Sequence, residues 1–200
     1  ARSGRASRGL RMQDSPVIAI PSAASYFDLM AQQGIVVDRD QRQALIRQQL
    51  ADLAAQVGGQ VPDEPALLDE VTALVEQPAA ILGSFEPRYL SLPADVLTTV
   101  MKKHQRYFPV IQSVKMSGVS VSGVEGPDAH LTLDAGTRDT LLPYFITVAN
   151  GQPRDAAVVR AGNEGVIRAR YADAAFFVEH DRRQPLEAFT PRLATLTFQE

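Results

Sequence analysis

Residues 141–150, LLPYFITVAN, form the clearest strand in the chain, so any fold for it must include a sheet. The first third reads differently, as helices. SAASYFDLMAQQG (22–34) predicts a short helix capped by Ser22 and stopped at Gly34. Asp38 with Gln41 reads as a capping box, opening a helix that ends at Gly58-Gly59. Within it Ile46, Leu50, Leu53 and Val57 fall on one face. Pro65 suits a first helical position, with Leu68, Val71 and Val75 as the next buried stripe and Pro78 closing it.

Past that point the pattern mixes. PAAILGSF (78–85) predicts a buried strand. LPADVLTTVMKKHQ restarts a helix at Pro93, with Leu97, Met101 and His104 near one face. RYFPVI (106–111) reads as a strand whose Pro109 needs an edge or a bulge. Residues 113–140 read as an insertion, because Val119 and Val121 alternate with serines and Gly118, Gly123 and Gly126 punctuate them. A flexible β-hairpin or partly disordered loop is expected there. A long helix is expected from about Asn163, with Asn163 as its cap and Glu164 paired to Arg168. Gly165 weakens its first turn by up to ~1 kcal/mol relative to alanine. The fold class is therefore α+β: mainly helical over 22–76, then an α+β portion over 77–200. Both ends fall in mid-pattern, so the 200 residues read as an internal fragment.

Composition narrows the function. With 45% hydrophobic residues a wholly disordered chain is excluded. A mean hydropathy of -0.10 and the lack of a long apolar run exclude a membrane-spanning helix. Cysteine is absent, which removes disulfides, thiol nucleophiles and cysteine-held zinc, and fits a reducing compartment. A net charge of -3 excludes a uniformly basic nucleic-acid binder, though not a local basic patch. The patches are uneven. Residues 1–12 hold four arginines and no acid, whereas 38–76 hold eight acids against three arginines. Lys102, Lys103 and Arg106 make a second basic knot, and Arg154, Arg160, Arg168 and Arg170 a third.

No complete catalytic or metal site emerges. The three histidines, His104, His130 and His180, lack metal-ligand spacing. His180-Asp181 resembles a phosphohydrolase pair, but no later aspartate completes the ligand set. KMSG (115–118) imitates an ATP loop without its second Lys-Ser, and the glycines around 151–165 form no phosphate loop. Two polar clusters beside aromatic segments remain. One is Lys102, Lys103, His104, Gln105 and Arg106 before Tyr107-Phe108. The other runs from Asn150 through Asn163, Glu164, Arg168, Arg170 and Asp173 to Phe176-Phe177. Basic groups mixed with amides suit phosphate and sugar contacts. An Arg170–Asp173 surface pair and core positions for both phenylalanines are the plainer alternative.

These same segments carry a family resemblance. MKKHQRYFPV (101–110), LLPYFITVAN (141–150), GNEGVIRARYADAAFFVEHD (162–181) and PRLATLTFQE (191–200) resemble the beta subunit of bacterial heterotetrameric glycyl-tRNA synthetase. EVTALVEQPAAILGSFEPRYLSLPADVL (70–97) continues the likeness, and SRGLRM (7–12) is similar to the family's RGHRF segment. Leu10 stands where that segment has histidine, and Gly165 where a basic residue usually follows GNE.

The resemblance implies two alpha and two beta subunits that join glycine to its tRNA using ATP with Mg. It places the catalytic core, with its ATP and glycine sites, on alpha, and so implies no catalytic, metal or cofactor residue here. Its implied partners are the alpha subunit, the rest of beta and glycine tRNA, with no DNA or membrane, in the cytoplasm. It also implies an architecture similar to the editing-type domain of the phenylalanyl-tRNA synthetase beta subunit. Three roles follow for this stretch. In the first it contacts tRNA through Lys102, Lys103, His104, Gln105 and Arg106, with Asn163, Arg168 and Arg170 next. In the second it is a docking module that never touches RNA. In the third, by analogy with the phenylalanyl enzyme, it is a hydrolytic editing domain.

Overall fold

The computed structural model describes residues 5–7, 17–120 and 132–183, with 185 and 187. Their elements run, in chain order, β1 (Ala6–Ser7), β2 (Ile18–Ala19), α1 (Tyr26–Gln32), α2 (Arg39–Gln56), α3 (Pro65–Leu74) and β3 (Pro78–Ser84). A 3-10 turn (Pro87–Ser91), α4 (Ala94–Thr99) and a π turn (Val100–His104) follow, then β4 (Phe108–Ser120), β5 (Thr132–Asn150) and α5 (Ala156–Arg182). The main sheet is antiparallel with order β3-β5-β4, and β1 and β2 form a separate two-stranded ribbon.

Helices cover both faces of the central strand. Alternate residues of a strand point to opposite faces, so Phe145 and Ile146 enter different cores. Ile146 packs with Phe108, Val110 and the inner face of α2 and α3, where Ile46, Leu50, Leu68 and Val71 are buried. Phe145 packs with Tyr107, Leu97, Met101, Ile167 and Tyr171 under α4, the π turn and α5. Tyr171 meets Phe85 edge-on at 5.0 Å, and its hydroxyl donates to the Leu97 carbonyl at 3.3 Å.

Side chains also close the open backbone. β3 is an edge strand, and Gln49 of α2 lies along it: its amide donates to the Pro78 carbonyl at 3.2 Å and accepts from Ala80 N–H at 2.9 Å. Arg42 ties α2 to α3 by donating to the Thr72 carbonyl at 2.9 Å.

Several sequence expectations shift. Asp38 does cap α2, accepting from Gln41 N–H at 2.8 Å. Ala54 is fully buried on its face while Leu53 and Val57 are only partly so, which turns the buried stripe. The first helix begins at Tyr26 rather than Ser22, because Ser22 and Ser25 bond each other in a tight turn instead. Pro109 lies on edge strand β4, beside a register shift between Pro109 and Ile111. Residues 113–140 continue the β4–β5 hairpin as far as the Ser120–Thr132 pair; 121–131 lie outside the described residues, as does nearly all of SRGLRM and all of 191–200.

The largest correction is α5. It starts at Ala156, not Asn163, because Asp155 caps it by accepting from Ala157 and Val158 N–H at 2.9 and 3.2 Å. Asn163 is therefore inside the helix, and the expected Glu164–Arg168 pair does not form.

Candidate nucleic-acid interface

The basic knot sits where α4 widens into the π turn and the chain reverses. Tyr107 N–H donates to the Met101 carbonyl at 2.9 Å, closing the turn. Arg106 takes the left-handed conformation at the reversal, with φ 55°. Glycine usually fills such a position, and a side chain there costs roughly 1–2 kcal/mol. The reversal aims Tyr107 into the core under α5 while Arg106 turns outward.

Acids at the start of and within α3 meet the knot. Lys102 Nζ donates to Glu64 Oε1 at 2.8 Å, with both side chains about 30% exposed. Arg106 Nε donates to Glu70 Oε1 at 2.5 Å. Lys103 is exposed and makes no ion pair among the described residues. Gln105 is half-buried. His104 contributes backbone to the π turn; its side chain lies outside the described residues.

The second cluster reaches the first through one bond. Asn163 Oδ1 accepts from the Tyr107 hydroxyl at 2.5 Å, and its Nδ2 donates to the Val159 carbonyl at 2.7 Å. The Tyr107 ring stacks on Phe145 at 4.7 Å. Burial raises the pKa of Tyr107 and of Tyr171, so both remain protonated donors at neutral pH. Glu164 Oε1 accepts from the Ser84 N–H and hydroxyl, both at 2.9 Å, fastening α5 to β3. Asn150 Oδ1 accepts from Glu76 and Gln77 N–H at 3.0 and 3.1 Å.

Arg168 is exposed and lies 3.8 Å from Glu86, which also pairs with Arg88 at 2.8 Å. Arg170 is exposed, and no pair with Asp173 forms. Phe176 and Phe177 are 66% and 61% exposed, contrary to the expectation that they belong to the core.

Of the eight nominated residues, Lys102, Arg106, Asn163 and Arg168 are thus engaged within the fold. Sequence reading missed their partners Glu64, Glu70 and Glu86. The acid excess over 38–76 was the available signal for the first two. It also missed a cleft of about 420 Å³ between α2, α3 and β4, floored by Leu50, Leu68 and Phe108 and rimmed by Arg47, Gln60 and Asp63. No group of three or more metal-ligating side chains converges among the described residues. No described helix is long and apolar enough to cross a membrane.

Comparison with known proteins supplies the context. The sequence profile of the family described as "Glycyl-tRNA synthetase beta subunit" matches residues 1–200. The chain is 43% identical over 199 residues to the glycine–tRNA ligase beta subunit of Gloeothece citriformis, covering 100% of this chain and 25% of the relative. It is 42% identical over 198 residues to that of Desulfitobacterium hafniense, covering 99% and 25%. For the subunit of Synechocystis sp. the identity is 41% over 196 residues, covering 98% and 24%. The chain spans about a quarter of the length of these relatives. The match along all 200 residues agrees with the run of segments from 70–97 to 191–200, and the chain belongs to the glycyl-tRNA synthetase beta-subunit family.

Proposed function

We propose that this stretch supports the ATP-dependent joining of glycine to its tRNA as an architectural module of the beta subunit, with bond chemistry on the alpha subunit. One observation carries the reading: Lys102 and Arg106 are paired with Glu64, just before α3, and Glu70 of α3. A lysine and an arginine so paired brace the π turn against α3 and offer less charge to a phosphate. The partners on this reading are the alpha subunit, the rest of beta and, through the whole enzyme, glycine tRNA in the cytoplasm. ATP with Mg is used at the alpha site. The α+β arrangement is also of the class expected from a likeness to the editing-type domain of the phenylalanyl enzyme, and superposing the β3-β5-β4 sheet on that domain tests the likeness.

A second reading has its own support. Lys103 and Arg170 are exposed and make no ion pair among the described residues, so they are available to RNA phosphates. The assembled enzyme separates the two. Lys102→Glu/Arg106→Glu and Lys103→Glu/Arg170→Glu are compared by thermal unfolding and by fluorescence anisotropy with labelled glycine tRNA at two salt concentrations. The architectural reading expects a lower Tm in the first variant and unchanged tRNA affinity in the second. A loss of about tenfold in the second, with a shallower salt dependence, would replace it with direct RNA contact.

A further inference from the structure

α5 is 27 residues long, about 40 Å, yet Ile167 and Tyr171 are its only fully buried side chains. At 100° per residue, the face opposite them carries Val158, Gly162, Val166, Ala169 and Phe176, with Phe177 at its border and Asp173 and His180 among them. The six apolar or small residues are all exposed, with Val158 67%, Val166 40%, Phe176 66% and Phe177 61% among the large ones. A soluble helix normally turns a charged face to water, and this one turns a mainly apolar stripe with one carboxylate, Asp173, inside it. Phe176 meets Phe177 edge-on at 5.6 Å and stacks on His180 at 6.4 Å.

Gly162 sharpens the point. A mid-helix glycine costs about 1 kcal/mol relative to alanine. Some glycines here have a packing reason, such as Gly83, where an added Cβ would lie 2.4 Å from the Phe145 ring. At Gly162 an added Cβ would meet nothing within 4 Å. It leaves a notch in the stripe, about four turns before Phe176, into which another helix can bring a side chain or its backbone.

We propose that this outer face of α5 is the docking surface for a helix from another part of the same beta subunit. The proposal rests on the architectural reading above and on length: the chain spans 25% of its relatives, so about three quarters of such a subunit lies outside it. The helix that fits is mainly apolar along its contact line, with a bulky side chain over Gly162, a basic or hydrogen-bonding side chain opposite Asp173 and an acid at the Arg170 margin. The acid follows from charge, because Arg170 stands at one edge of the stripe with no carboxylate partner among the described residues, whereas Arg168 at the other edge already faces Glu86.

The test uses the purified, assembled enzyme with full-length beta. A photoreactive benzoylphenylalanine replaces Phe176, or Gly162 in a second preparation, and cross-links are mapped by mass spectrometry. The expected product is a link within one beta chain, from position 176 or 162 to a residue outside this stretch. Links to alpha, to a second beta chain or to tRNA, or no link from either position, would overturn the proposal. A link to alpha would leave the architectural reading standing. As a check that does not depend on the probe, hydrogen exchange of residues 172–182 in the unmodified enzyme should be at least about tenfold slower than a solvent-facing helix end allows. Fast exchange there counts against docking.

Discussion

The Tyr107 hydroxyl donates to Asn163 Oδ1 at 2.5 Å, joining the residue after the basic knot to the N-terminal part of α5. The two partners lie 56 residues apart in sequence. Tyr107 is set by the left-handed reversal at Arg106, and Asn163 by a helix that starts seven residues before it. Tyr107→Phe keeps the ring on Phe145 and removes only the donor. It is expected to cost about 1 kcal/mol in denaturant unfolding. Combining it with Asn163→Ala should give less than the sum of the single effects, and strict additivity would show that the bond carries no coupling.

Gly83 lies opposite Phe145 in the β3–β5 register, and the ring occupies the space a side chain would need. Gly83→Ala is expected to destabilise the chain by roughly 1–3 kcal/mol through overpacking. A shift of the near-ultraviolet aromatic signal should accompany the lower unfolding midpoint. An unchanged midpoint would mean that Phe145 moves aside freely.

Asp155→Ala should cost about 1 kcal/mol, because two N–H groups of the first turn lose their acceptor. Asp155→Asn should recover most of that loss. Faster hydrogen exchange confined to residues 157–160 is the accompanying signature, and a loss spread evenly over α5 would contradict it.

Alkaline pH provides a further check. Burial raises the pKa of Tyr107 and Tyr171 above the ordinary phenol value of 10.0. The folded chain then holds these protons more tightly than the unfolded one. Their contribution is complete below about pH 10 and is lost as pH rises through the folded-state values. Unfolding midpoints should therefore decline above about pH 10 in the native sequence. The decline should be shallower in Tyr107→Phe/Tyr171→Phe, and identical slopes would remove the assignment.

The sequence by itself determined what depends on neighbours within a turn or two. Asp38 opening α2, Pro65 opening α3 and the strands at 78–84 and within 132–150 all follow from local backbone preference and side-chain pattern. The family resemblance was legible for a related reason, since long blocks in order identify a chain without any fold. Tertiary structure decided the rest. Lys102 and Arg106 meet acids 38 and 36 residues away, a pairing that no local rule specifies. Phe145 and Ile146 look alike in sequence, yet each is fully buried in a different core, because helices from opposite ends of the chain cover the two faces. Phe176 and Phe177 have the composition of core residues but stay exposed, since burial depends on which element arrives opposite. That element is chosen by the packing of distant segments, not by the residues it covers.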